Sequence, residues 1–309
     1  MRYVFMGTPA FAVAALQALA AAGMPPAAVV TRPDRPRGRG MLLTGSPVKE
    51  WAGGRDLPVW QPDSLREESF LERVRRLDPQ VVVTAAFGRL LPPVLLALPR
   101  QGCINLHASL LPRYRGAAPV QRILMAGEER TGVTTFWMDP GMDTGDIILQ
   151  EEVAIRPEET AGELLERLGM LGGALLVRTL RLVEAGRAPR VAQDPTLAGA
   201  APPIGREEEE IRWDLSARRI ADLVRGLNPA PGARTRRGDA LLKVWRASAV
   251  EAGSLGLPGT VLGADREGIR VAAGLGAVLL RQVQPAGGRS MGAADYALGH
   301  PFLPGERLG

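Results

Sequence analysis

The chain has 309 residues, room for one large domain or two smaller ones, and 46% of it is hydrophobic, enough to fill real cores. Its 37 glycines and 26 prolines are spread out and form no repeat, which excludes collagen-like and low-complexity classes. A lone cysteine, Cys103, excludes an internal disulfide and a cysteine-rich zinc site; the formal net charge of +5 suits a polyanionic partner, although an arginine-rich surface alone gives the same balance.

The elements follow in chain order. Tyr3–Met6 is a short apolar strand, then Gly7-Thr8-Pro9 and a helical run from Phe11 to Ala22. No basic-then-apolar leader precedes it, and the apolar stretch from Phe11 to Val30 is broken by Gln17, Gly23, Pro25 and Pro26. A cytoplasmic protein without a membrane span is expected. Ala27–Thr31 is the next strand. Residues 32–40 carry prolines and glycines that argue against regular structure. Val59-Trp60 is a strand candidate, Ser64–Leu77 an amphipathic helix, and Gln80–Ala86 a β-branched strand buried on both faces. Cys103–His107 is another strand and Ala117–Ala126 another helix. Strands alternating with helices predict an α/β fold with a doubly wound parallel sheet.

From Gly132 the pattern changes. Val133–Met138 and Ile147–Ile155 are strands joined by a turn rich in Gly and Asp, and Thr160–Ala185 is a long helix. Short strand candidates follow at Leu241–Arg246, Gly259–Leu262, Gly268–Ala272 and Ala277–Gln284. They predict a small all-β domain, an OB-like barrel. The expected division is a catalytic domain over 1–188, a linker over 189–206 and a barrel over 207–309.

Chemistry concentrates in a few segments. Only His107 and His300 are histidines, so a base that titrates near neutrality has two candidates. His300, between Gly299 and Pro301, is expected at the surface. Asn105 and His107 lie two apart in a strand and share a face. The crevice beyond the carboxyl ends of parallel strands is where ligands sit. An amide donor and an imidazole there suit acyl transfer; a capping Asn beside a structural histidine is the plain alternative. Ser109-Leu110-Leu111-Pro112 leaves the strand with leucines that either line a pocket for a flat heterocycle or pack under the loop. In Asp139–Asp146, three acids sit in one turn at a spacing foreign to calcium loops. Either it is an ordinary hairpin turn, or Gly141 and Gly145 let one acid reach the imidazole.

Taken together, Asn105-Leu106-His107-x-Ser109-Leu110-Leu111-Pro112-x-Tyr114-Arg115-Gly116 followed by Asp143-Thr144-Gly145-Asp146 resembles the 10-formyltetrahydrofolate-dependent formyltransferase family. The resemblance implies a catalytic set at Asn105, His107 and Asp143, with no metal. It implies folate contacts at Ser109, Leu110, Leu111 and Pro112, and in the segment Arg89-Leu90-Leu91. Gly7-Thr8-Pro9-x-Phe11-Ala12, Arg32–Gly40 and Ser46-Pro47-Val48-Lys49 resemble the branch of that family acting on initiator methionyl-tRNA. There Arg39 would lie in a loop that wedges against the acceptor end. The likeness spans essentially the whole chain and is weaker beyond about residue 205. A departure falls at Asn228-Pro229-Ala230-Pro231-Gly232, where relatives carry aromatic residues near the second proline.

On that basis His107 takes a proton from the attacking amine, Asn105 stabilises the oxyanion, and Asp143 orients the imidazole. A sugar-nucleotide amine is the alternative acceptor, but it does not need an arginine-rich loop at 32–39. Past Glu207–Glu210, Arg218, Arg219, Arg225, Arg234, Arg236, Arg237, Lys243 and Arg246 suggest a barrel that grips an RNA backbone.

Overall fold

In the computed structural model, which describes residues 1–37 and 42–309, the chain divides into two compact units. The first comprises Met1–Pro119, Arg130–Val153 and Leu165–Pro202. The second comprises Val120–Glu129, Ala154–Leu164 and Pro203–Gly309.

The elements in order are β1 (Tyr3–Gly7), α1 (Ala10–Ala21), β2 (Ala28–Val30), β3 (Arg35–Arg37), β4 (Leu42–Thr44), α2 (Pro47–Gly53), β5 (Val59–Trp60), α3 (Glu68–Leu77), β6 (Val81–Ala85), α4 (Pro93–Leu96), β7 (Cys103–His107), α5 (Pro119–Met125), β8 (Arg130–Trp137), β9 (Ile147–Ala154) and α6 (Ala161–Glu184). A seven-stranded sheet runs β5-β2-β1-β6-β7-β8-β9. Its first five strands pair in parallel, and β8 joins β7 antiparallel. Every residue of β1 and β6 is buried. That is why both are continuous apolar runs: helices cover a parallel sheet on both faces. Strand order reverses between β1 and β6, so the crevice opens at the carboxyl ends of β1, β6 and β7.

Strand β7 rests on a close-packed base. Leu106, between Asn105 and His107, is buried with its side chain against Gly172 of α6; a Cβ on Gly172 would lie 2.9 Å from Leu106 Cδ2. Next to it, a Cβ on Gly173 would lie 2.7 Å from the Ala18 methyl of α1. The bare backbone of α6 lets helix and sheet approach to this distance.

Two expectations need correction in this unit. Residues 35–37 are not irregular: β3 pairs antiparallel with β4, placing Pro36 opposite Leu43. A two-stranded ribbon has outer edges on both sides, where a proline without a donor is tolerated. The Ser64–Leu77 helix begins only at Glu68, because the Ser64 hydroxyl accepts from Arg66 N and holds a turn, while Leu65 enters the core. The segment after α6, expected as a linker, is held by backbone pairing. Val191 and Ile147 exchange backbone hydrogen bonds of 2.8 and 3.0 Å, and Arg115 bridges in parallel to Ala200.

In the second unit, α7 (Ala217–Gly226) precedes β10 (Ala233–Arg237), β11 (Ala240–Val250), β12 (Val261–Asp265), β13 (Gly268–Ala272), β14 (Ala277–Pro285) and β15 (Met291–Gly292), and α8 (Ala293–Gly299) follows. The antiparallel order is β10-β11-β14-β13-β12, with β15 on β14. Bridges from Arg307 to Thr260 and from Leu308 to Arg237 tie the two edge strands together, so the sheet closes on itself. Two helices, α7 and α8, accompany the sheet. Ala217, Ile220 and Val224 recur at helical spacing and are buried, with the Ser216 hydroxyl capping Arg219 N. The unforeseen strand β10 buries Ala233 and Thr235 at alternating positions.

Candidate active site

The catalytic candidates project from the end of β7. Asn105 lies beside Thr84 of β6 in the sheet register. The buried Thr84 hydroxyl donates to Asn105 Oδ1 at 2.6 Å. With its oxygen held by Thr84, the carboxamide keeps two N–H donors that meet no acceptor among the described residues.

His107 is buried, and Tyr114 O lies 2.9 Å from its Nε2. A carbonyl only accepts, so Nε2 carries the proton and Nδ1 is the nitrogen that exchanges one. Asp143 Oδ2 lies 3.8 Å from Nδ1, beyond hydrogen-bond reach. Tyr114 thus holds the ring at Nε2, while the Asp143 carboxylate faces the exchanging nitrogen.

Backbone conformation builds both contacts. Tyr114 has φ +61° and Gly116 φ +127°. A Cβ on Gly116 would lie 2.6 Å from Ala201 O, so glycine is required there. Gly116 N then donates to Asp143 Oδ2 at 2.8 Å. Asp143 itself has φ +56°, a conformation that a short polar residue tolerates. The other acids of its turn work locally. Asp139 accepts from Gly141 N and from Thr144 Oγ1, and Asp146 lies 4.0 Å from Arg190. Only one of the three faces the imidazole. Among the described residues no cluster of His, Cys, Asp or Glu is arranged to hold a metal.

The loop after β7 holds the residues expected to meet folate. Ser109 is buried; its hydroxyl donates to Arg113 O at 2.9 Å and its carbonyl accepts from Thr134 Oγ1 at 2.7 Å. Leu111 is buried, and Gln150 Nε2 donates to its carbonyl. Leu110 and Pro112 are half-buried, with the Leu111–Pro112 peptide cis. After β6, Leu91 is buried but Leu90 is 65% exposed. Arg39 lies outside the described residues. Burial pushes the Cys103 thiol up to about 12, so it is a core residue and not a nucleophile. His300 belongs to the second unit, where it stacks on Tyr296 at 4.8 Å.

The basic series of the second unit is less available than its sequence suggests. Arg218 and Arg225 pair with Asp222, Arg234 with Glu209 and Glu210, Arg237 with Glu306, and Arg246 with Glu163. Lys243 Nζ donates to Pro231 O. Arg219 and Arg236 are exposed, as are Arg266 and Arg289 elsewhere in the unit.

A strand-end amide and an imidazole faced by a carboxylate, at the crevice of a doubly wound sheet, are the equipment of acyl transfer. Residues 1–180 match the formyl transferase family and residues 203–301 match the formyl transferase C-terminal domain; the chain belongs to this family. Over 309 residues it is 53% identical to the methionyl-tRNA formyltransferase of Moorella thermoacetica, covering 100% of this chain and 99% of that one. It is 49% identical to the enzyme of the same name from Pelotomaculum thermopropionicum, with the same coverage. Among solved structures, the N-formyltransferase of Helicobacter canadensis in complex with folinic acid and dTDP-3-aminofucose shares the fold. Its TM-score is 0.68 at 16% identity, over 90% of this chain and 98% of that one.

Proposed function

We propose that this chain transfers the formyl group of 10-formyltetrahydrofolate to the α-amino group of methionyl-tRNA, giving the formylmethionyl-tRNA that starts translation. The observation that carries the proposal is the site of Asn105, His107 and Asp143, set in a chain that aligns end to end with relatives of that name. The likeness to a sugar formyltransferase is a likeness of fold.

In the reaction the amine nitrogen bonds to the formyl carbon and the carbonyl electron pair moves to oxygen. Asn105 Nδ2, freed for this by Thr84, donates to that oxygen. His107 Nδ1 accepts the proton that the amine gives up. The Asp143 carboxylate, 3.8 Å away, attracts the charge that forms on the ring. As the electron pair returns and the bond to the folate nitrogen breaks, His107 passes the proton to that nitrogen. Leu110, Pro112 and Leu90 offer apolar surface to the folate ring.

Residues 1–188 form the catalytic part, 189–206 connect, and 207–309 hold the RNA backbone through exposed arginines such as Arg219, Arg236, Arg266 and Arg289. Arg39 contacts the acceptor end. The work is done in the cytoplasm; among the described residues no helix is long and apolar enough to cross a membrane. The test offers the purified protein 10-formyltetrahydrofolate with methionyl-tRNA, a sugar-nucleotide amine or glycinamide ribonucleotide. Transfer to methionyl-tRNA alone is expected; transfer to a small amine instead would refute the proposal.

A further inference from the structure

The segment that follows α6 carries a side chain whose full hydrogen-bonding capacity is spent on the active site. The half-buried Gln193 donates from Nε2 to Asp143 O at 2.9 Å and to Gly145 O at 2.8 Å. Its Oε1 accepts from Arg115 Nε at 3.1 Å and from Arg115 Nη2 at 2.7 Å. A carboxamide has two donors and an oxygen with two lone pairs; here all four are used.

Those partners belong to the two segments that grip His107. Arg115 lies between Tyr114, whose carbonyl orients the ring, and Gly116, whose amide holds Asp143. Asp143 keeps a left-handed backbone without being glycine. Its carbonyl is one of the atoms Gln193 holds.

We propose that Gln193 is a positioning residue for formyl transfer, fixing the Asp143 turn and the Tyr114–Gly116 loop at the spacing that brings carboxylate and carbonyl to opposite nitrogens of His107. The inference rests on the reaction proposed above. It differs from a general fold-holding role because the segment is tied down independently of this side chain. At one end Val191 pairs with Ile147. At the other, Gly199 N donates to Pro112 O, Arg115 N to Gly199 O, and Ala201 N to Arg115 O. Without the Gln193 carboxamide these backbone bonds remain, and what loosens is the spacing between turn and loop.

The test uses the full chain with Gln193→Leu, close in shape but without polar atoms, and Gln193→Glu, which keeps the acceptor for Arg115 but sets carboxylate oxygen against two carbonyls. Displacements below an ångström at a reacting group lower turnover by about 10- to 100-fold. That loss is expected in kcat for both variants, with KM for folate and for tRNA within about twofold and melting little changed. In an Asp143→Asn background, Gln193→Leu should cost less further than it costs in the wild type, because part of its effect passes through Asp143. If Gln193→Leu does not fold, Gln193→Glu supplies the same comparison. A wild type that fails to formylate methionyl-tRNA overturns the reaction itself. An active wild type with variants of undiminished kcat, or a full independent loss in the Asp143→Asn background, overturns only the role given to Gln193.

Discussion

Gly145→Ala places a methyl where the hairpin has no room. A Cβ there would lie 1.7 Å from Trp137 O, 2.9 Å from its carbonyl carbon and 3.4 Å from Asp139 N. All three are backbone atoms, so no side-chain rotation relieves the contact. Carbon and oxygen need roughly 3 Å or more, and the turn must therefore shift by at least about 1 Å. Overpacking of this kind costs about 1–3 kcal/mol, lowering the melting temperature by about 2–4 °C per kcal/mol in a domain of this size. The larger effect is on function. Asp143 stands two residues away in the same turn, and in the proposed reaction misplacing its carboxylate by about 1 Å costs on the order of 10² in rate. Single-turnover formylation of methionyl-tRNA, with a melting curve beside it, measures both. Gly53→Ala, whose methyl meets nothing within 4 Å, is the control and should match wild type. A Gly145→Ala enzyme that turns over within about threefold of wild type would refute the view that this turn sets the place of Asp143.

Two further predictions rest on single contacts. Asn105→Ala should lower turnover on the order of 10²–10³ with an unchanged melting curve, and Thr84→Val by about 3- to 10-fold, as expected when one hydrogen bond stops holding a donor in aim; Thr84→Ser should restore most of the rate. The third concerns acid. Hydrogen bonds from Arg122, then from Gly205 N, hold the Glu208 carboxyl down to about 2, from an ordinary value of 4.5. Its stabilisation is complete above about 4.5 and is lost as pH falls through about 2. Arg122→Ala should therefore melt lower at neutral pH, by about 1 kcal/mol for a pair still open to solvent, with the gap closing under acid.

The first unit was largely legible because its signals are local. Strands buried on both faces appear as unbroken apolar runs, so β6 and β7 were placed within a residue or not at all shifted. Asn105 and His107 were paired by strand alternation alone. The connections that complete the site are not local. Tyr114 acts through a carbonyl, Gly116 through an amide, and Gln193 from a polar stretch without periodicity. Thr84 lay hidden in a β-branched run, where a threonine fits on backbone grounds alone. In the second unit, α7 was obscured because Arg218, Arg219, Asp222 and Arg225 look like charged surface, whereas Asp222 and Arg225 are buried partners. Basic residues in sequence do not reveal which acids they have already met.

The fit of Leu106 against Gly172 extends the site's footprint to the far side of the sheet. A screen for inactive variants would score a mid-helix glycine that touches no substrate alongside the residues that do. Enlarging it presses on the one side chain that separates the amide from the imidazole. Formyl transfer in this chain is thus exposed to mutation from behind, through a helix whose contribution to the chemistry is to have nothing there.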